Sequence, residues 1–374
     1  MIKKIFIIQI LKRHNLSFLF HYDLIPNPSP KERGVRKVKL KLFLFEVYIV
    51  MLFQISLTSG QDLQLTQFYA APIYLNPAFA GANADSRLAT TYRNQWAALP
   101  RAYNSYLISY DRYLSNFRSG VGIMLTTDKS GTAALSNNTI GANYAYDYKF
   151  SRIWSASIGL RASYGYRSLD FSRLLFGDQI SRGASSSIQT PTPEKIHYLD
   201  FSTGALLFSQ DKWFGITLNH INRPNESFLS KDAPLPIKGS LHGGVNFPID
   251  SKGGEGRKSD KPTITVAFQY RFQKEFDQGD IGLYYKKTNF FVGAWYRGLP
   301  LLKSYKPGYS NHDAVALMAG FIYKDLTVGY SFDITFSKLT MVSGGSHEIS
   351  LNYQFYNPKK AKHHRTKIIP CAKF

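Results

Sequence analysis

The feature that most constrains the fold of this 374-residue chain is a period of two in its hydrophobic pattern. In residues 153–168, apolar and aromatic side chains occupy every second position, and mostly Ser, Gly and Arg lie between them. The same alternation recurs in residues 263–272, 326–337 and 348–355. Successive side chains of a β-strand point to opposite faces, so this pattern predicts strands with one apolar and one polar face.

A soluble β-sandwich alternates in the same way, but three details favour a membrane barrel. Many of the alternating runs are longer than the usual strand of about 5–6 residues, and a tilted strand of about 9–11 residues crosses a bilayer. The polar face is rich in Gly, Ser, Thr and Asn, as expected for a barrel lumen. Aromatic residues cluster near strand ends, which is typical of an interfacial girdle; the clearest cluster is Tyr144, Tyr146, Tyr148 and Phe150. We therefore predict an all-β fold, a transmembrane outer-membrane β-barrel.

The barrel is predicted to span residues 87–356, with about 14 antiparallel strands of bilayer-crossing length. The predicted strands are 87–96, 103–113, 120–127, 135–149, 153–168, 197–209, 213–220, 239–249, 262–272, 278–286, 288–297, 313–323, 326–336 and 346–356. If the first strand begins in the periplasm, the connections on that side are short, except for a Gly/Lys-rich turn at 250–261. The long connections then all lie on the opposite side; they are 169–196, 221–238, 298–312 and 337–345. Outer-membrane barrels show this asymmetry.

The residues before the barrel have the parts of a secretory signal peptide. Residues 35–60 contain a basic start, an apolar run and small residues before a possible cleavage site ahead of Gln61. The alternative is a single membrane anchor, against which Glu46 and the short apolar run both count. Residues 1–34 are predicted to be an extension or the product of a start codon assigned too early. Residues 61–86 are predicted to form a periplasmic lead-in.

The net charge of +21 suggests a nucleic-acid partner until its distribution is considered. Residues 1–60 carry +7, and residues 357–374, predicted to be a basic periplasmic tail, carry +6. The central part keeps only about +8, so we expect no nucleic-acid partner. The one cysteine, Cys371, excludes a disulfide framework within the chain.

Several motifs resemble those of the PorP/SprF family of outer-membrane proteins, and they occur in the same order as in that family. Residues 67–81, with Asn76-Pro77 near their centre, and residues 92–96 resemble the opening of that family. Residues 176–179 and the closing hairpin at 331–351 match further motifs, and the resemblance spans about 61–356. The motif positions are Asn76, Pro77, Phe176, Gly177, Asp178, Gln179, Ser346, His347 and Glu348.

The resemblance implies a non-enzymatic integral protein of the outer membrane in Bacteroidetes, associated with type IX secretion and gliding motility. Its implied partners are outer-membrane lipid, periplasmic secretion components and secreted surface adhesins, and it implies no cofactor. The competing hypothesis is a passive or fatty-acid-type channel, which the same barrel could form.

Individual motifs leave alternatives open. Phe68, Tyr69 and Phe79 could enter the periplasmic mouth as a plug, or the lead-in could simply pack on the first strand. Asp178 could contact a partner, but an Asp-centred turn that folds the loop inward is favoured.

The pair His347-Glu348 suggests a catalytic or metal site, because imidazole and carboxylate serve both roles. No third ligand accompanies the pair at metal spacing, so it is predicted to be a structural pair at the start of the last strand. The remaining histidines form no recognisable Ser–His–acid set. We therefore predict no enzymatic activity, metal or cofactor.

Overall fold

The structure is a computed structural model. It describes residues 62–82, 86–99, 103–131, 135–170, 173–188, 195–228, 233–249, 262–274, 276–299, 312–336 and 343–355. The predictions made for residues 1–60 and 357–374, including Cys371, lie outside this part of the chain.

The described strands form a closed antiparallel barrel of 14 strands, in which each strand pairs with its neighbours in sequence and β14 pairs with β1. They are β1 Ser86–Gln95, β2 Tyr103–Leu114, β3 Ser119–Ser130, β4 Leu135–Lys149, β5 Ser155–Ser168, β6 Lys195–Phe208, β7 Lys212–Asn219, β8 Lys238–Pro248, β9 Thr263–Gln273, β10 Phe276–Lys287, β11 Phe290–Gly298, β12 His312–Tyr323, β13 Leu326–Thr335 and β14 Ser346–Phe355. The predicted fold class and strand number are confirmed.

The described helices are short. The α-helices are α1 Pro72–Leu75 and α2 Gly177–Arg182, and the 3-10 helices are Phe68–Ala70, Pro77–Phe79 and Ser115–Phe117. Within the described residues, no helix is both long enough and apolar enough to cross a membrane.

The two ends of the barrel differ in the length of their connections. We call the end where β1 begins and β14 ends the terminal end, and the opposite end the loop end. The terminal end carries the short connections between β2 and β3, between β6 and β7, and between β12 and β13. The loop end carries the long connections after β5, β7, β11 and β13. The predicted separation of short and long connections is confirmed, with the predicted exception of the long connection at 249–262 between β8 and β9 on the terminal end.

The outer face of the barrel exposes large apolar side chains along the middle of the strands. In β5, Ile158 and Leu160 are 63% and 58% exposed, while the alternate residue Gly159 faces the interior. An exposed apolar surface of this extent marks contact with protein or lipid. Because this apolar surface surrounds a closed barrel of long strands, we infer that it contacts the lipid of a membrane.

Aromatic pairs lie on the outer face toward both ends of the barrel. At the terminal end, Tyr353 and Phe355 have ring centroids 4.8 Å apart. At the loop end, Tyr92 and Tyr106 have ring centroids 4.9 Å apart. Tyr and Phe at both levels form the interfacial girdles expected of a membrane barrel.

Leu160→Arg is expected to destabilise the barrel by about 2–4 kcal/mol, because it places a charge on the lipid face near the middle of β5. Urea unfolding in liposomes measures this change. Leu175→Arg is the matched control, because Leu175 is 71% exposed in the connection after β5. Equal stability of the two variants would contradict lipid contact at Leu160.

Candidate functional site: a plugged barrel lumen

Residues 62–82, which we call the plug, lie inside the barrel. The plug is built from three successive short helices, ending with the 3-10 helix Pro77–Phe79. Prolines occupy the first positions of α1 and of this last helix, where a missing N–H costs nothing. The side chain of Asn76 begins the last helix by accepting a hydrogen bond from the Ala78 N–H at 2.9 Å.

Aromatic side chains of the plug pack against the inner wall far from β1. Phe68 contacts Trp295 with ring centroids 4.8 Å apart, and Tyr69 contacts Tyr284 at 5.1 Å. These wall residues belong to β11 and β10, and not to β1. Of the two alternatives for this segment, a plug inside the barrel therefore agrees with the structure, and packing on the first strand alone does not. The plug is not confined to one mouth of the barrel, because its contacts run from the loop end to the terminal end.

A buried cluster of charges, which we call the carboxylate–arginine cluster, holds the first half of the plug. Glu348 of β14 accepts the backbone N–H groups of Thr66 and Gln67 at 2.8 Å and 2.7 Å. Arg93 of β1 donates to Glu348 at 3.0 Å and to Asp333 of β13 at 2.8 Å. The carboxylates thereby join the plug to three consecutive wall strands.

The cluster continues along the wall to β9, β10 and β11. Arg297 donates to Asp280 at 2.8 Å and to Asp333 at 3.2 Å. Arg271 donates to Asp280 at 2.8 Å. Three arginines therefore face three carboxylates, and removing one buried partner leaves an uncompensated charge, which costs far more than the pair contributes.

Asn76 fixes the middle of the plug to the opposite wall. Its Nδ2 donates to the carbonyl oxygens of Ala205 and Ile216 at 3.1 Å and 3.2 Å. The same atom lies 3.2 Å from Nε2 of His242. Asn76 is fully buried, so these contacts replace the water that its amide would otherwise need.

Arg161 of β5 binds the C-terminal end of α1. Its Nη2 donates to the carbonyl oxygens of Ile73 and Tyr74, the latter at 3.1 Å, and its Nε donates to Asn143 at 2.9 Å. A cation is favourable here because the last carbonyl groups of a helix have no partner within the helix.

At the terminal end, the plug is held by Asp111 of β2. This carboxylate accepts the Gly81 N–H at 2.9 Å and pairs with Arg87 of β1 at 2.9 Å. Next to this contact, Gly120 allows the plug backbone to approach closely, since a Cβ there would lie 1.9 Å from the oxygen of Ala80. The wall glycines therefore have a packing role that the alternating pattern alone does not reveal.

At the loop end, Asp62 joins the plug to the β7–β8 connection and to the first residue of β8. Its carboxylate lies 2.8 Å from Nζ of Lys238 and 3.0 Å from Nε2 of His220. Burial opposes ionisation of Asp62, but the two cations hold its pKa well below the ordinary range. Burial alone would lower the pKa of His220, yet Asp62 and Asp200 outweigh it and raise the pKa from 6.5 to about 9.

The raised pKa of His220 predicts that the plug is held less firmly in alkaline solution. The stabilisation is complete below pH 6.5 and is lost as the pH rises through about 9, because the neutral imidazole no longer attracts Asp62. Thermal unfolding of the purified protein between pH 6 and pH 10 measures this loss. His220→Gln is the control and should lack this component; an identical pH profile for both proteins would contradict the assignment.

The structure brings some of the motif positions together and separates others. Asn76 and Pro77 lie in the plug, and Glu348 holds the plug from β14. Ser346 is buried where β14 begins. His347 faces the outer surface instead, where its Nδ1 shares a 2.8 Å hydrogen bond with Tyr330. The pair His347-Glu348 thus divides between the two faces of its strand.

Residues Phe176 to Gln179 lie in the connection after β5, away from the plug. Gln179 accepts the Phe176 N–H at 2.8 Å. Asp178 accepts hydrogen bonds from Ser187 at 2.6 Å and from the backbone of Ile188 at 3.0 Å. The Ser187 hydroxyl and the neighbouring donors lower the pKa of Asp178 to about 2. This geometry is that of a carboxylate folding its own loop, while a role in partner binding stays a prediction.

Several residues that hold the plug had no role assigned from the sequence. Arg93 and Asp333 lie inside motifs that carried the family resemblance, but the sequence does not reveal that they meet. The available signal was the scattered Arg and Asp residues on the polar face of predicted strands. Within the described ranges, no group of three or more His, Cys, Asp or Glu side chains is arranged to hold a metal ion.

Comparisons with solved structures find barrels from several channels and transporters. The CymD monoaromatic hydrocarbon channel is 14% identical, with a TM-score of 0.44 over 77% of this chain and 93% of that one. The Ralstonia pickettii toluene transporter TbuX is 10% identical, with a TM-score of 0.42 over 77% of this chain and 94% of that one. Similarities this distant assign no substrate to this chain.

A search of curated proteins finds no match. A family model described as the type IX secretion system membrane protein PorP/SprF matches residues 57–353. The match covers the plug and nearly the whole barrel. Together with the closed barrel and its apolar outer face, it places the protein in the outer membrane, which the strands cross many times. The chain belongs to the PorP/SprF family of type IX secretion system membrane proteins.

Proposed function

We propose that this protein is a non-enzymatic subunit of type IX secretion that anchors surface proteins, such as gliding adhesins, or assists their export. The observation that carries the proposal is the plug, which is joined to the wall at the loop end, in the middle and at the terminal end. A chain in transit needs an open path, and this lumen is occupied by the protein's own segment. The barrel is therefore better suited to hold partners than to conduct them.

Partner contacts in this proposal lie at the two ends of the barrel. With the terminal end in the periplasm, its short turns face the periplasmic secretion components. The long connections at the loop end then face the cell surface, where loops on a rigid scaffold commonly carry recognition. The connection that contains α2 exposes Leu175 and Ile180, 71% and 68% exposed, as candidate contacts for a surface protein.

Deletion of the gene in its native bacterium tests the proposal. We expect loss of specific surface proteins from the cell, measured by quantitative proteomics of surface-shaved peptides, with recovery on complementation. Unchanged surface proteins, secretion and gliding in the deletion strain would contradict the proposal and favour the channel alternative.

A further inference from the structure

Strand β6 extends beyond its neighbour β7 at the loop end of the barrel. β5 pairs with β6 over its whole length, from Lys195 to Phe208. β7 pairs with β6 only from Thr203 onward. In the described part of the chain, no other strand takes the place of β7 beside residues 195–202. This part of β6 therefore has a strand on one side and none on the other.

The turn after β7 covers the lower part of the side that has no strand. Ile221 donates its N–H to the Phe201 carbonyl at 3.0 Å. The side chain of Asn222 replaces a strand residue, because its Oδ1 accepts the Phe201 N–H at 3.1 Å and its Nδ2 donates to the Leu199 carbonyl at 2.7 Å. Side-chain and turn groups thus complete the hydrogen bonds of β6 as far as the Leu199 carbonyl.

The backbone groups above this point have no such partner. Phe201 and Leu199 direct their polar backbone groups to the β7 side, and these groups alternate between the two sides of a strand. The N–H and C=O groups of His197 and Lys195 therefore point to the β7 side as well. Among the described residues, neither backbone has a hydrogen bond on that side. We call residues 195–199 the free edge.

After its first turn, the described part of the β7–β8 connection is drawn toward the lumen. Its Glu226 pairs with Arg167 of β5 at 2.5 Å. Its Leu235 lines the cavity between the plug and the wall and is buried. Lys195 and His197, by contrast, are exposed. An exposed edge with unpaired donors and acceptors is a template for pairing with another strand.

We propose that the free edge binds an extended peptide segment of a surface protein by β-strand addition. The unpaired N–H and C=O groups of alternate residues match an extended chain, which presents the same groups at the same spacing. Lys195 adds a positive charge to the edge. A segment with a carboxylate opposite Lys195 therefore fits best, since opposite charges on neighbouring strands stabilise their pairing.

The choice of a surface protein rests on the proposed function, which places the loop end at the cell surface. The competing occupant is a second copy of the chain, which would pair two free edges. Binding of a peptide to the edge is measured with purified protein, whereas the secretion role is measured by gene deletion. Failure of one experiment is therefore distinguishable from failure of the other.

Fluorescence anisotropy of a labelled peptide with the purified full chain in detergent tests the site. The probe is a hexapeptide in which Val and Thr alternate around one Glu, and protein-free micelles are the blank. We expect saturable binding of this probe, and none of the same peptide N-methylated at every amide, because it has lost the donors of a strand. Replacing the Glu of the probe by Lys should weaken binding severalfold, since like charges on neighbouring strands repel.

His197→Pro removes one donor from the free edge and leaves the hydrogen bonds to β5 intact, because those belong to the alternate residues Ile196 and Tyr198. We expect it to weaken binding of the probe by about tenfold, the upper end of what one hydrogen bond contributes. His197→Ala is the matched control, because it also loses the imidazole but keeps the N–H, and it should bind like the unmodified protein. Equal binding by both variants would overturn the proposal.

Asn222→Ala keeps the test decisive if His197→Pro does not fold. It releases the Leu199 carbonyl and the Phe201 N–H, which lengthens the free edge. We expect this variant to bind the probe severalfold more tightly than the unmodified protein, and unchanged or weaker binding would contradict the proposal. Anisotropy no higher than the micelle blank would also overturn it. Self-association without peptide binding would identify a second copy as the occupant and would overturn it too.

Discussion

Arg93→Met is expected to destabilise the folded protein by about 3–5 kcal/mol, the cost of breaking a buried ion pair by removing one partner. Arg93 is 2% exposed and donates to both Glu348 and Asp333. Without it, two neighbouring carboxylates remain buried with less compensation. One of them also binds the plug backbone at Thr66, so we expect the plug to loosen together with the wall.

Urea unfolding of the protein in liposomes measures the stability of Arg93→Met, and limited proteolysis of the folded state measures release of the plug. Arg112→Met is the matched control, because Arg112 is an exposed arginine on the next strand. We expect the control to stay within about 0.5 kcal/mol of the unmodified protein. Equal unfolding midpoints and proteolysis for both variants would show that the cluster does not hold the plug.

Gly159→Val is expected to displace the plug, because the wall at this position has no space for a side chain. A Cβ at Gly159 would lie 2.2 Å from the backbone nitrogen of Ala78. A backbone atom cannot move aside as the end of a flexible side chain can, so the plug itself must shift. Overpacking of this kind costs typically about 1–3 kcal/mol, and Ser157 would lose its 2.9 Å hydrogen bond to the Ala78 carbonyl.

Hydrogen exchange of peptides covering residues 62–82 measures this displacement. We expect faster exchange in Gly159→Val, with the barrel strands still protected. Gly177→Ala is the control and should exchange like the unmodified protein, since its new methyl group meets no atom within 4 Å. Unchanged protection of the plug in Gly159→Val would mean that the close approach at this glycine is not required for docking.

The strands could be predicted because the alternation of apolar and polar residues in each strand is a local pattern. It can be recognised without knowing the rest of the chain. β4 has its predicted bounds, 135–149, and β5 begins two residues later than predicted. β3 extends to Ser130 instead of residue 127, because its last residues pair with the start of β4. The last residues of β3 are all polar, so no alternating pattern marks them as strand. They become part of the strand because they pair with β4.

The plug could not be settled from the sequence, since a segment of short helices has no sustained period. Asn76 could be assigned to a turn because of Pro77, but its contacts with Ala205 and Ile216 depend on where β6 and β7 lie after the barrel closes. The carboxylate–arginine cluster likewise depends on which strands become neighbours when the barrel closes. Thr66 and Glu348 meet only because β14 pairs with β1.

Single-channel recording in planar bilayers tests most directly whether the plug closes the lumen. We expect no conductance steps from the unmodified protein and discrete steps from Gly159→Val, recorded at the same protein density. Because both proteins keep the same 14-strand wall, the plug is the relevant difference. Steady conductance from the unmodified protein, as large as that of Gly159→Val, would contradict a closed lumen and would support the channel hypothesis.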